Sequence, residues 1–422
     1  MHIVFLSHYF PPEVNAPASR TFEHCRRWVD AGHQVTVVTC APNCPTGIVF
    51  DGYKNSWRSE EMQAGIRVVR VWSYLSANKG FLGRTLNFIS YMLTATWAAL
   101  WLKKVDVLVA TSPQFFCGWA GVLCHWLRGW PFVLEIRDIW PESIVAVGAM
   151  KKSMTIRVLE WLELRMYAAA DFIITVGNGY REQLLERKVP ADKIAVIPNG
   201  VELDKFRPRA ADEELRARWQ GTNKFVCAYI GTIGMAHGLE VVLNAAEQLK
   251  TAGREDVQFW IVGDGAERAV LEARAQSQQL TNVTFTGMVK KEQVDAVLAS
   301  CDACLVHLRG TELFGTVIPS KVFETMAMNV PIIMGVRGQA QDIVMAGGSG
   351  VAMTPDDPQS LLDGINTITA KPERYRHGRG HVAQHFDRGV LASRMCAALE
   401  AVAQGRKPSD ALDVSVDTRR AA

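Results

Sequence analysis

Short apolar runs alternate with helix-length amphipathic segments twice along the chain, and this double alternation restricts the fold more than any other feature. In the first half HIVFLS, QVTVVT, IRVVRVW, DVLVAT, PFVLEI, DFIITV and KIAVIP read as strands, and from Asn223 the pattern restarts with KFVCAYI, VQFWIVG, NVTFTG, DACLVHL and VPIIMG. Apolar strands joined through helices need crossover connections, which give parallel sheets covered on both faces. The expected fold is α/β, two Rossmann-like doubly wound domains facing an interdomain cleft. Residues 1–205 form the first domain in this reading and 222–375 the second. The segment 376–402 supplies C-terminal helices that pack back on the first domain, and 403–422 is a disordered tail without apolar periodicity. Between the domains LDKFRPRAADEELRARWQGTNK carries the proline, charge and glycine of a surface connection. Ligands of such sheets collect at the carboxyl ends of the strands, so loops from both domains are expected to build one site.

Charge excludes one class of partner. With 46 Lys and Arg against 43 Asp and Glu, the 422-residue chain has a formal net charge of +3, too balanced for nucleic acid to be the main partner. The amino terminus MHIVFLSHYFPPEV lacks the basic start and small-residue cleavage site of an export signal. Nine cysteines, an odd count scattered through apolar segments, then point to reduced thiols in the cytoplasm. Cys301 and Cys304 have CxxC spacing, but no second pair follows at zinc-ribbon distance, and buried thiols are the expectation.

From Thr85 to Leu102 the chain carries no charge and is bracketed by Arg84, Lys103 and Lys104. Its length approaches a membrane span. The strands before and after it should share one sheet, however, and a single crossing would part them. Two readings stay open: a helix buried against the sheet, or one whose outer face, with Tyr91, Trp97 and Trp101, dips into a bilayer surface.

Three turns in the second half suit an anionic ligand. FWIVGDGAERAV places Gly263, Asp264 and Gly265 where a strand passes into a helix, and YIGTIGMAHGLEVV does the same with Gly231, Thr232, Gly234 and Gly238. Small residues let backbone amides approach a diphosphate there, although a Gly-Asp-Gly turn also serves simply to reverse the chain. The third, HLRGTELFGTVIPSKVFETMAM, supplies Arg309, Lys321 and Glu324, with Pro319 and Ser320 at a helix start. Arg309 and Lys321 are the candidate cations, and Glu324, one turn beyond Lys321, can bind a ribose diol. The competing reading of Lys321 and Glu324 is a solvent-exposed helix pair. In the first half RDIWPES follows a strand, so Arg137, Asp138 and Glu142 should emerge at its carboxyl end beside Trp140, either in a binding site or as an ion pair ordering the loop.

These turns, with VIPNGVELDKF (Pro198, Asn199, Gly200, Val201, Phe206), resemble the family-4 retaining glycosyltransferases of GT-B fold, over residues from Met1 to about Phe386. SHYFPPE, RDIWPES, GTIGMAHGLE and PSKVFE are similar to the subgroup that builds bacterial surface polysaccharides, including N-acetylfucosamine transferases. The resemblance implies transfer of a sugar from a nucleotide diphosphate, UDP-linked, to a lipid-linked or glycan acceptor. It implies no cofactor, no enzyme nucleophile and no metal-binding D-x-D. It places the protein in the cytoplasm, peripheral at the inner face of the plasma membrane, with contact near Thr85 to Lys104. Glu324 matches the second Glu of the family's E-x7-E motif, while Thr316 stands where the first is expected and Glu312 resembles its EGFG lead-in. Thr232 and His237 occupy the places of the family's diphosphate-binding Arg and Lys, so Arg309 and Lys321 are expected to take over and to stabilise the leaving group. Asp138 is the candidate acceptor base. Asn15 and Arg20 of YFPPEVNAPASR, with Arg137 and Glu142 of RDIWPES, are expected to contact the acceptor, and Glu13 is a second possible base, against a helix-capping role for Asn15 or Ser19. Two other classes share the pattern: a sugar-nucleotide epimerase of the same architecture, and a non-catalytic relative that holds carbohydrate or scaffolds an assembly.

Overall fold

The computed structural model describes residues 1–13, 15–44, 46–76, 81–112, 114–139 and 154–408. They form two compact units, Met1–Pro198 with the segment from Arg388, and Asn199–Asp387. The first has an eight-stranded sheet, β1 (His2–Leu6), β2 (Gln34–Cys40), β3 (Arg58–Gln63), β4 (Ile66–Val71), β5 (Val107–Thr111), β6 (Phe132–Ile136), β7 (Phe172–Thr175) and β8 (Ile194–Val196). The strands lie in the order β3-β4-β2-β1-β5-β6-β7-β8. All neighbours are parallel except β3 and β4. Full burial of β1, β5 and β6 explains why their sequences are continuous apolar runs rather than alternating ones. β3 went unread in the sequence for the opposite reason: RSEEMQ is polar and exposed, an antiparallel edge strand where Glu60 accepts from both Arg58 and Arg67.

The second unit has a six-stranded parallel sheet in the order β11-β10-β9-β12-β13-β14. Its strands are β9 (Phe225–Ile230), β10 (Val257–Val262), β11 (Val283–Gly287), β12 (Ala303–His307), β13 (Ile332–Gly335) and β14 (Gly350–Ala352), the last too short to announce itself. Both sheets reverse winding direction beside their first strand, between β1 and β5 and between β9 and β12. A reversal leaves a crevice at the carboxyl ends of the two strands. The loops after β1, β5 and β6, and those after β9, β10 and β12, are therefore the ones placed to hold ligands.

The division falls at Pro198 and Asn199 rather than at 205, and side chains explain it. Phe206 is buried in the core of the second unit, and Arg379 donates to the carbonyls of Leu203, Phe206 and Ala327. Helix Gly378–His385 stays with that unit, packed on helix Lys321–Ala327, instead of returning to the first. Helix Arg388–Ala403 does join the first unit: Leu391, Met395 and Leu399 enter its core, Trp28 Nε1 donates to Ala392 O (2.9 Å), and Arg388 pairs with Glu23.

The uncharged segment forms helix Phe81–Leu100. Tyr91, Ala95 and Ala99 are buried against the sheet, while Leu86, Leu93, Trp97 and Trp101 point outward. Tyr91 is thus no interfacial anchor, since its hydroxyl donates to Val38 O at 2.8 Å. Among the described residues no helix is long and apolar enough to cross a membrane.

Candidate active site

The second unit brings Lys321, Glu324 and Gly231 together because β9 and β12 are hydrogen-bonded neighbours. Gly231 follows β9 directly with φ of +144°, and a Cβ there would lie 2.8 Å from Lys321 Nζ. The Lys321 ammonium rests 3.9 Å from the centroid of the Tyr229 ring and has no hydrogen-bond acceptor among the described residues. Burial pulls its pKa down to about 8. Helix Lys321–Ala327 buries Val322, Phe323, Thr325 and Met326, which leaves Lys321 and Glu324 sharing the face turned from the core. Glu324 is half-buried, and burial pushes its carboxyl up to about 7 against the pull of Lys291, Lys321 and Lys205. The two are neither solvent-exposed nor within 4.0 Å of each other, so the exposed helix pair is overturned.

The flanking turns lock onto each other. Gly231 N donates to Val262 O, Ile233 N to Asp264 O and Glu267 N to Ile233 O. At Gly263 a Cβ would stand 1.8 Å from Gly231 O, and at Gly265 one would stand 2.2 Å from Ile233 O. Close approach of the two loops accounts for both glycines. Asp264 accepts from Gly265 N (2.8 Å) and lies 3.7 Å from Arg268, while Thr232 is exposed with its carbonyl taking the Tyr229 hydroxyl.

Arg309 departs from expectation. Its Nε donates to Met235 O at 2.6 Å and its Nη2 to Glu240 at 2.9 Å, so the guanidinium is engaged by the turn before helix Glu240–Thr251 instead of standing open to a diphosphate. His237, by contrast, lies beside the site. Burial and the Lys321 charge bring its pKa to about 4, and its Nδ1 is buried without a partner. Its carbonyl receives His307 Nδ1–H (2.7 Å), while His307 Nε2 accepts from Asp356 N, which fixes His307 as a neutral tautomer. The side chain of Glu312 lies outside the described residues.

In the first unit most candidate groups are spent on structure. Asn15 caps helix Ala16–Asp30 by accepting from Ala18 N at 2.8 Å, the capping reading. Arg20 is buried, with Nε on Glu135 (2.8 Å), Nη1 on Pro198 O (2.8 Å) and Nη2 on Ile197 O (3.0 Å). It is a positioning residue that ties β6 to the end of β8, not an acceptor contact. Burial would raise the Glu135 carboxyl, but Arg20 and Arg137 hold it at about 2. Glu13 receives the N–H groups of Asn43 and Cys44, and burial nonetheless raises its pKa. Arg137 and Asp138 follow β6 as expected, with Asp138 O taking the Ser112 hydroxyl at 3.3 Å. Trp140 and Glu142 lie outside the described residues. His8 carries no mark in the local sequence; its Nε2 donates to Asn87 at 2.6 Å, and burial keeps it neutral with a pKa of about 4. A cavity of about 890 Å³ opens elsewhere, by Asp171, Asp192 and Lys193 before β7 and β8, away from these groups.

Comparison with known proteins decides the family. The Glycosyl transferase 4-like domain matches residues 15–200, and Glycosyl transferases group 1 matches residues 224–371. The chain belongs to the family-4 glycosyltransferases of GT-B fold. This glycosyltransferase is 25% identical over 401 residues to WcaI of Escherichia coli (strain K12), named for colanic acid biosynthesis, covering 92% of this chain and 97% of that one. It is 28% identical over 252 residues to the O-antigen chain mannosyltransferase C of Escherichia coli, covering 58% and 64%. The solved structure of Anabaena HepE in complex with UDP and glucose shares its fold, with a TM-score of 0.70 and 21% identity over 94% of this chain and 99% of that one.

Proposed function

We propose that this glycosyltransferase moves a sugar, an N-acetylated deoxyhexosamine, from UDP to a lipid-linked or glycan acceptor in cell-surface polysaccharide assembly, with retention at the transferred carbon and without a metal. The observation that carries the reading is the Lys321 ammonium, held over Tyr229 and the Gly231 backbone with no acceptor of its own among the described residues. As the bond from sugar to diphosphate breaks, negative charge builds on the leaving oxygen, and a preorganised, partly desolvated cation stabilises that charge more than it stabilises the ground state. Glu324 in its ionised form binds a ribose diol through both oxygens. Gly231 lets the diphosphate approach backbone, a role in which Gly263, Gly265, Asp264 and Thr232 support the turn. Asp138, at the carboxyl end of β6, takes the proton of the attacking hydroxyl. The names of the relatives, colanic acid and O-antigen, support the polysaccharide setting.

A thermal-shift screen of sugar nucleotides, followed by nucleotide release with a lipid-linked acceptor, tests the proposal. One sugar nucleotide should raise the melting temperature of the wild type and not of Lys321→Ala. If none shifts it and no nucleotide is released, the reading falls.

The surface of the first unit favours a membrane-borne acceptor. Leu93, Trp97, Trp101, Trp126 and Trp161 are exposed on helices Phe81–Leu100, Phe115–Arg128 and Met154–Ala169, or just past their ends, with Arg84, Lys103 and Lys104 nearby. The three helices share one core on the same sheet. Exposed tryptophans beside cations suit the headgroup region of an anionic bilayer. In liposome flotation the wild type should rise with anionic vesicles, and Trp97→Ser with Trp101→Ser should rise less. Recovery at the bottom in both cases removes the peripheral placement at the inner membrane face.

A further inference from the structure

Arg137 leaves β6 with its backbone fixed and its charge answered only by a carboxylate that Arg20 already holds. Its N–H donates to Ser112 Oγ (3.1 Å), and Ser112 N donates to Glu135 O (2.9 Å), so the start of the side chain is set by β5. The guanidinium has no such anchor: Nη1 is buried without a hydrogen-bond partner. The adjacent carboxylate cannot supply one. Glu135 takes Arg20 Nε on one oxygen and the Thr111 hydroxyl on the other, both at 2.8 Å. Asp138, the next residue, lies near the hydroxyls of Tyr167 and Tyr180, whose pKa burial raises first and the Asp138 charge raises further. His24, packed beside the pair, is kept neutral by burial. Two guanidinium charges, Arg20 and Arg137, thus face the single carboxylate of Glu135, and one positive charge is left over among the described residues.

A buried cation that must share its carboxylate with a second cation is unfavourable to folding, and a position where such a group persists is a place a ligand's charge completes. The planar guanidinium fork matches a phosphate with two parallel N–H donors, which an ammonium cannot do. We propose that the carboxyl end of β6 is an anion subsite in which Arg137 receives a phosphate or diphosphate carried by the acceptor. This rests on the first unit being the acceptor-binding one, as read above, and adds what chemical group the acceptor must carry beside its sugar.

The test is a binding measurement on the full chain that needs neither sugar nucleotide nor turnover, so a failed transfer assay would leave it standing. Inorganic pyrophosphate is titrated calorimetrically into Lys321→Met, which removes the cation of the second unit, and into the same chain carrying Arg137→Gln or Arg137→Lys. Arg137→Gln should weaken binding about tenfold or more, and Arg137→Lys should restore part of it. The melting temperature of Arg137→Gln should stay within a few degrees of its parent or exceed it, because Glu135 keeps its pair with Arg20 and only the surplus desolvated charge has been removed. Vesicles doped with a short polyprenyl diphosphate separate the sources of the phosphate. If Arg137→Gln loses the doped vesicles as well as pyrophosphate, the ligand is lipid-linked; if it loses pyrophosphate alone, the ligand is water-soluble; both support the subsite. No pyrophosphate binding by the parent, or binding by Arg137→Gln within about twofold of it, overturns the proposal. So does a fall of several degrees in the melting temperature alongside lost binding, since that marks a structural arginine.

Discussion

The two units bring charged residues to the same place, the carboxyl ends of the strands beside a reversal of winding, and use them in opposite ways. In the first, Arg20 and Glu135 are paired at 2.8 Å and surrounded by carbonyl and hydroxyl partners. In the second, Lys321 and Glu324 are partly desolvated, lie side by side on one helix and make no side-chain hydrogen bond among the described residues. A satisfied buried pair holds loops in position; an unsatisfied one is poised for a ligand. The titration directions record the same contrast, with the Glu135 carboxyl held near 2 and that of Glu324 lifted to about 7.

Breaking the paired side should have the largest effect. Arg20→Met leaves Glu135 buried with only Arg137 nearby, and the expected loss is about 3–5 kcal/mol of unfolding free energy, toward the lower end because Arg137 remains. Hydrogen exchange should localise the loosening to β6 and the segment at Ile197 and Pro198, and protection equal to wild type there would dissolve the contrast. On the open side Lys321→Ala should lower kcat/KM by about 10²–10³-fold while urea unfolding changes little. A loss of stability comparable to that of Arg20→Met would mean that Lys321 is structural after all.

Gly263→Ala probes the frame that holds the open site. A Cβ 1.8 Å from Gly231 O forces the two loops apart, and about 3 kcal/mol of destabilisation is expected, with weaker sugar-nucleotide binding. An unchanged melting temperature would show that the loops are not interlocked. The smallest effect sharpens the comparison through pH. Because the folded pKa of Glu324 lies above its unfolded value, its contribution to stability is fully present below about 4.5 and is lost as pH rises through about 7. Glu324→Gln cannot ionise, so its stability relative to wild type should rise between pH 4.5 and 8, by on the order of 1 kcal/mol, in urea titrations across that range. Glu135 runs the other way: its depressed carboxyl stabilises above about 4.5, and that stability is lost as pH falls through about 2.

Much of this was legible in the residue order. Seven strands of the first sheet and five of the second announce themselves as apolar runs, and the two missed are a polar edge strand, Arg58–Gln63, and the three-residue Gly350–Ala352. Lys321 and Glu324 were found through their spacing and their strand-to-helix turn. Arg309, Asn15 and Arg20 were also found, but their tasks were not, since one residue type at a loop start serves equally to cap a helix, bind a carbonyl or hold a ligand. His8, Lys291 and Lys205 gave no local signal at all.

What the sequence by itself determined is the succession of buried strands and covering helices, because burial on both faces writes itself into every residue of a strand. What only the tertiary structure decided is which charges are answered. The Arg20 side chain meets Glu135, 115 positions away, and Lys321 settles over Tyr229 because β9 and β12 are neighbours in the sheet. Pairing is a matter of distance in space, and a chain's residue order does not contain that distance until crossover connections have set which strand ends lie side by side.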